Sequence, residues 1–357
     1  MEHDRLTGLG FTQEFRQEAE LLPDLYPARV SGQHHNIYEV MGEWETMQAR
    51  VSGKLAYSAA GNVDFPVVGD WVMIDRPDSS TGDAIIHHIL PRKSAFGRKS
   101  AGTSHEGQVV AANIDTLFIC MSLNANFNLR RLERYLSVAW DSMATPVVVL
   151  TKADLSDEIE MRLAEAAEAA IGVDILVCSA MAEDGYQELL PYISEGKTIA
   201  FVGSSGVGKS TLINRLMGEE ILTTREIGDA DKGRHTTTRR QLLLLPRGGI
   251  VIDTPGMREL QLDSADLSRS FEDIEDLAAM CKFKDCSHTK EPGCAVQQAI
   301  ANGELSQKRF DNYVKLQKEM GYEGLNSRQL EQEKINRMFG SKGQMKQAMK
   351  HFKNKNK

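Results

Sequence analysis

TIAFVGSSGVGKSTLINRLMG, residues 198–218, is the stretch whose reading decides the fold. Five mostly apolar residues, Thr198 to Val202, have the texture of a buried strand. Gly203, Ser204, Ser205, Gly206, Val207, Gly208, Lys209 and Ser210 then fit the pattern G-x-x-x-x-G-K-[ST], and a helix-like run begins at Thr211. A strand, a glycine-rich turn and a helix in that order make a phosphate-binding loop. The glycines let successive backbone N–H groups turn inward around phosphate oxygens. The helix adds the positive end of its dipole. Lys209 is expected to reach the β- and γ-phosphates, as ligand and as catalytic cation, and the Ser210 hydroxyl to hold Mg²⁺. The whole run from Gly203 to Thr211 is therefore a candidate nucleotide contact.

Such a loop alone does not separate a GTPase from an ATPase or a nucleotide kinase. Three further segments do, each following an apolar strand-like run. Asp253-Thr254-Pro255-Gly256 follows GIVI; its acid can approach Mg²⁺ through water, and the Gly256 N–H can touch the γ-phosphate. Thr151-Lys152-Ala153-Asp154 follows TPVVVL. The Asp154 carboxylate can accept two hydrogen bonds from guanine N1–H and its 2-amino group, a pair that adenine does not offer. The Lys152 stem can lie over the base. Cys178-Ser179-Ala180 follows DILV, where Ser179 and Ala180 can supply backbone contacts to guanine O6. Ligands bind at the C-terminal ends of strands in open α/β sheets, which is where all of these segments fall.

Around these motifs, apolar runs alternate with helical stretches such as LRRLERYLSVAWDSM, the pattern of a mostly parallel sheet covered on both faces. Before it, ARVSG, IYEVMG, MQARVSG, FPVVGDWVMI and AIIHHILP are short strand-like runs broken by turn residues, a small barrel or sandwich. Residues 1–25 form a polar lead, partly helical or mobile. After residue 268 the chain turns helical and charged, and it ends in a lysine-rich tail carrying Lys342, Lys346, Lys350, Lys353, Lys355 and Lys357.

The chain has 357 residues and a formal net charge of -8, against a uniformly basic nucleic-acid binder, although the tail concentrates positive charge locally. The N-terminus has no apolar signal core, and no apolar run approaches the roughly 20 residues that span a bilayer. A cytoplasmic protein with no membrane partner is expected. Cys120 and Cys178 sit singly in apolar runs and read as small buried hydrophobes. Cys281, Cys286, His288 and Cys294 cluster instead, and three thiolates with one imidazole are a complete set for a closed, structural tetrahedral Zn²⁺ site.

The motif order is TKAD, SA, phosphate loop, GRHTTT, DTPG, with base recognition first rather than last. That is the order of a circularly permuted GTPase. Together with DFPVVGDWV, FVGSSGVGKSTLIN, GRHTTT and DTPG, it resembles the small-ribosomal-subunit-dependent GTPase family, known as RsgA or YjeQ, over about residues 28–320. The resemblance implies an α/β protein: an N-terminal OB-type β-barrel that binds RNA (26–100), a central circularly permuted P-loop GTPase domain (105–268), and a C-terminal α-helical zinc-binding module with a basic tail (269–357).

It further implies a monomeric enzyme that hydrolyses GTP to GDP and phosphate. The small ribosomal subunit and its rRNA would be the partners, and hydrolysis would be coupled to late subunit maturation and to release. The rival reading is a nucleotide-gated rRNA-binding scaffold in which hydrolysis is incidental. An unrelated P-loop ATPase or kinase is disfavoured by TKAD. One position departs from the family: Thr151 stands where the base motif usually has Asn; a hydroxyl can brace the loop too, and lower affinity or selectivity is the alternative outcome.

The residue after Gly256 is Met257, which cannot orient water as the glutamine of many GTPases does. His235 in Gly233-Arg234-His235-Thr236-Thr237-Thr238 is the expected catalytic group, and one of Thr236, Thr237 and Thr238 is an expected Mg²⁺ ligand. Arg92, Lys93, Arg98 and Lys99 follow the last barrel strand and are expected to meet phosphates.

Overall fold

The computed structural model describes residues 4–99, 107–124, 127–222, 240–253, 271–284, 286–289 and 291–320. The lead is helical. Asp4 caps α1 (Arg5–Gly8) by accepting from the Leu6 N–H, and α2 (Gln13–Glu20) follows. Their apolar residues Leu6, Leu9, Phe11 and Phe15 pack against Trp71 and Leu90 of the barrel. The segment reads as polar because its few apolar residues are spaced to cover a single tryptophan face.

The barrel consists of β1 (Tyr26–His34), β2 (Ile37–Met41), β3 (Thr46–Val51), β4 (Trp71–Ile74) and β5 (Ala84–Ile89), with the short α3 (Gly53–Ser58) between β3 and β4. β1 pairs with β2, β2 with β3, β3 with β5, β5 with β4, and β4 back with β1, so the circuit closes. The inward residues Val30, Val40, Ala49, Val72 and Ile86 fill it. Arg92 does not face outward. Its guanidinium forms a bidentate pair with the buried Asp70 at 2.8 Å, and Val63 and Phe65 carbonyls accept from it as well. An internal ion pair therefore occupies a residue expected to meet phosphates.

After the hairpin β6 (Ala95–Lys99) and β7 (Gly107–Ala112) come β8 (Thr116–Ser122), α4 (Leu129–Asp141), β9 (Thr145–Thr151), α5 (Ile159–Ala169), β10 (Asp174–Val177), β11 (Thr198–Val202), α6 (Lys209–Met217), β12 (Arg240–Leu244) and β13 (Ile250–Asp253). These strands are ordered β10-β9-β8-β11-β13-β12. All are parallel except β12, which runs antiparallel to β13. The reversal comes from a tight turn at Gly248 and Gly249, with φ of 88° and 84°, where side chains are strained. Leu132, Leu136 and Ala166 of α4 and α5 bury one face of the sheet; Leu212, Ile213 and Leu216 of α6 bury the other.

The outer edge of β12 pairs with barrel strand β1, Gly32 opposite Gln241 and Gln33 opposite Arg240. Barrel and nucleotide domain thus share one eleven-stranded sheet.

Among the described residues three further helices follow, α7 (Glu272–Ala279), α8 (Ala295–Asn302) and α9 (Gln307–Met320), around a core that includes Phe271, Ile274, Val296 and Leu316. They dock on the nucleotide domain through Arg309. It is bidentate with Asp273 at 2.8 Å and lies 3.5 Å from Glu133 of α4. Lys308 pairs with Glu165 of α5 at 3.3 Å. Among the described residues no helix is long and apolar enough to cross a membrane.

Candidate nucleotide site and metal centre

β11 ends at Val202, and the loop turns at once. Gly203 has φ 143°, and a Cβ there would lie 2.4 Å from the Cys120 carbonyl of β8, so a glycine is required by the approach of the neighbouring strand. Gly206 and Gly208 also have positive φ, and Gly208 caps α6. Lys209 Nζ lies 2.7 Å from the carbonyls of both Gly203 and Ser204. Its ammonium therefore sits over the start of the loop. Ser210 and Thr211 are half-buried in the first turn of α6.

The base-recognition segments come to the same end of the sheet because β9 and β10 are parallel to β8 and β11. Thr151 closes β9 and is 3% exposed. Its hydroxyl donates to the Val207 carbonyl at 2.6 Å, a direct tie between this strand end and the phosphate loop. Lys152 then adopts φ 59°, which turns the chain into the short helical turn Ala153–Leu155. The Ala153 N–H donates to the Cys178 carbonyl at 3.2 Å, and the Ser179 hydroxyl donates to Asp154. Ala180 is held through its carbonyl by Arg215 Nε of α6 at 2.8 Å. Asp253 ends β13.

Segments far apart in sequence thus converge on one rim. Gly256, Met257, His235, Thr236, Thr237 and Thr238 lie outside the described residues, as does the lysine-rich tail. Burial pushes the thiols of Cys120 and Cys178 up to about 12, so both stay neutral.

One residue near the loop was not singled out from sequence. Arg131, in the first turn of α4, donates from Nη1 to the Ser204 hydroxyl at 3.0 Å. Its only sequence signal is an arginine pair opening a helix, a common pattern.

The ligand atoms of Cys281, Cys286, His288 and Cys294 all lie within 4.8 Å of one another. Cys281 Sγ and Cys294 Sγ are 3.8 Å apart, and His288 Nδ1 is 3.5 Å from each. Tetrahedral zinc, with Zn–S about 2.3 Å and Zn–N about 2.0–2.1 Å, requires edges of about 3.8 Å and 3.5 Å. The donor set fits the ion. The Gln297 backbone N–H lies 3.4 Å from Cys294 Sγ, and its side-chain amide donates to the His288 carbonyl at 2.7 Å, an outer shell that fixes two of the ligands.

The RsgA GTPase family model matches residues 89–263. The chain is 54% identical over 325 residues to the small ribosomal subunit biogenesis GTPase RsgA 2 of Lactiplantibacillus plantarum, covering 91% of this chain and 92% of that one. This chain belongs to the RsgA GTPase family. A relative named small ribosomal subunit biogenesis GTPase RsgA, from Methanosarcina acetivorans, is 42% identical over 339 residues, 92% of this chain and 90% of its own.

Among solved structures, YjeQ from Thermotoga maritima is similar at a TM-score of 0.63 and 31% identity, over 83% of this chain and 98% of that one. YloQ, described as a circularly permuted GTPase, is similar at a TM-score of 0.59 and 25% identity, over 83% of this chain and 95% of its own. An ABC transporter model also matches residues 187–357, a span that includes the phosphate loop. The mixed α/β sheet, the closed barrel and the Cys₃His cluster of this chain agree with the expected fold class.

Proposed function

We propose that this RsgA-family GTPase hydrolyses GTP to GDP and phosphate on the small ribosomal subunit, and that hydrolysis is coupled to late maturation of the subunit and to release from it. The observation that carries this reading is the junction of Thr151 with Val207. It fastens the guanine-reading segment directly to the phosphate loop. Asp154 reads the guanine edge, Lys152 covers the base, and Ser179 holds Asp154 in place through its hydroxyl. Ala153 and Ala180 line the base rim.

The backbone from Gly203 to Thr211 wraps the phosphates, with Lys209 on the β- and γ-oxygens. Asp253 and Gly256 close the γ-phosphate side. Ser210 and one of Thr236, Thr237 and Thr238 hold Mg²⁺, which neutralises phosphate charge. His235 orients the attacking water. Zn²⁺ on Cys281, Cys286, His288 and Cys294 is structural: four protein ligands leave no open position for chemistry.

The barrel (residues 26–100) is the rRNA-binding part and the tail of 269–357 a second phosphate-binding element, in a monomeric cytoplasmic protein. Binding by such elements weakens as salt rises.

Hydrolysis of GTP and of ATP is measured with and without purified small subunits, for the wild type and for Lys209→Ala. GTP turnover is expected to rise steeply with subunits, ATP turnover to stay at background, and Lys209→Ala to lose both binding and turnover. GTP turnover indifferent to small subunits would favour a scaffold whose hydrolysis is incidental. Undiminished hydrolysis by Lys209→Ala would remove the phosphate loop from the mechanism.

A further inference from the structure

We propose that Arg131 is a further residue of the hydrolytic site, a cation supplied by the same chain to the γ-phosphate of GTP. The inference rests on the reading of Gly203 to Ser210 as the GTP phosphate loop. It concerns which end of that loop Arg131 serves.

The fold delivers the residue there. β8 is the parallel neighbour of β11, with Ile119 opposite Val202, so the chain leaving β8 emerges beside the phosphate loop. Asn128 caps α4 by accepting from the Arg131 N–H at 3.0 Å, which fixes Arg131 in the first turn of a 13-residue helix. From there Nη1 reaches the Ser204 hydroxyl at 3.0 Å. The carbonyl of the same Ser204 accepts from Lys209 Nζ at 2.7 Å. Ser204 therefore carries two cations, one on its side chain and one on its backbone. Lys209 serves the β- and γ-phosphates in loops of this kind. Arg131 lies at that charged end of the loop, on the helix that follows β8, the strand between β11 and β9.

The charge on Arg131 has no counter-charge among the described residues. Arg92 pairs with Asp70, Arg162 with Glu158 and Glu165, and Arg309 with Asp273, while the buried Arg29 is held by the Leu9, Gly69 and Asn113 carbonyls and the Thr198 hydroxyl. Arg131 has no carboxylate partner among the described residues; its side chain has Ser204 alone. A guanidinium offers five N–H donors in a planar fork suited to phosphate oxygens, and a single hydroxyl uses one of them. A half-buried, unneutralised arginine held against a phosphate loop is arranged for an anion.

In hydrolysis the water oxygen bonds to the γ-phosphorus and the bond from that phosphorus to the β–γ bridging oxygen breaks. GDP leaves with the electron pair, and a water proton ends on the released phosphate. Charge spreads over the γ-oxygens and the bridging oxygen on the way, and a second cation at Ser204 stabilises it. In other GTPases an arginine supplied to the γ-phosphate raises turnover by about 10³–10⁵.

The test uses the full-length chain and Arg131→Gln, which keeps an N–H donor for the Ser204 hydroxyl and removes the charge. Single-turnover GTP hydrolysis is measured together with the dissociation constants of GDP and of a non-hydrolysable GTP analogue. The expected result is a hydrolysis rate at least tenfold lower, and a loss of affinity for the GTP analogue that exceeds any loss for GDP.

A smaller loss of rate, or equal losses for the two nucleotides, overturns the proposal and reduces Arg131 to a structural tie. Wild-type GDP binding keeps the two readings apart. If the wild type binds no guanine nucleotide, the GTPase reading itself fails. If it binds and Arg131→Gln behaves as wild type, only the role of Arg131 fails.

Discussion

Thr151→Val is the most direct perturbation of the nucleotide site that leaves every proposed phosphate and base ligand in place. The side chain is 3% exposed and donates to the Val207 carbonyl at 2.6 Å. Valine fills nearly the same volume, so no cavity opens and the change isolates the hydrogen bond. A neutral bond of this kind contributes about 1 kcal/mol net, and a carbonyl left dry and unpaired costs about 1–3 kcal/mol. The loss falls on the middle of the phosphate loop, one residue before Gly208 caps α6. A loss of about 1.4 kcal/mol is tenfold in affinity, so GDP binding is expected to weaken by about 5- to 20-fold. The assay is a titration of a fluorescent GDP analogue, with thermal unfolding followed in the presence and absence of GDP. GDP should then raise the midpoint of the variant less than that of the wild type. An unchanged GDP affinity, whether or not the ligand-free midpoint falls, would refute the idea that this hydroxyl holds the loop in its nucleotide-binding form.

Two other outcomes are expected. Stripping the metal, by chelation or by Cys281→Ser, should remove one zinc per chain by mass spectrometry and unfold the helices around the cluster while GDP binding survives; zinc-free protein that keeps its helices would contradict the structural role. Burial raises the Glu133 carboxyl to about 7, above the ordinary value of about 4.3, despite Arg309 beside it. The folded state therefore holds a proton that the unfolded chain has released, so the stabilisation is full below the unfolded value and fades as pH climbs through about 7. Thermal midpoints from pH 5 to 8 should fall more steeply for wild type than for Glu133→Gln, and parallel curves would reject this account.

Much of this molecule is written locally. The phosphate loop is legible because glycines, Lys209 and Ser210 must occur at fixed spacing after a strand, and the Cys₃His cluster because four soft ligands must fall within a short span. The five barrel strands are legible as runs, but their closure is not. It depends on Tyr26 to Arg29 meeting Trp71 to Ile74, a pairing without local signature. The antiparallel course of β12 is hidden for a similar reason, since Gln241 to Leu244 read as one more buried strand and only the turn at Gly248 and Gly249 sets the direction. Arg92 reads as a phosphate contact because its partner Asp70 is distant in sequence, and Arg131 carries no local signal because its partner Ser204 is more distant still.

The pairing of β12 with β1 bears on how deletion of the barrel would behave. β12 begins at Arg240, two residues beyond Thr238, and at Gln241 it is bonded to Asp253 on one side and Gly32 on the other. Removing the barrel would leave the outer backbone groups of β12 without partners, and an open strand edge recruits other chains. A barrel-less fragment should therefore be aggregation-prone and should lose order at the root of the GRHTTT segment, for reasons unrelated to RNA. A hydrolysis defect in such a fragment would report a torn sheet, and only point substitutions on the barrel's outer face would isolate its role in binding.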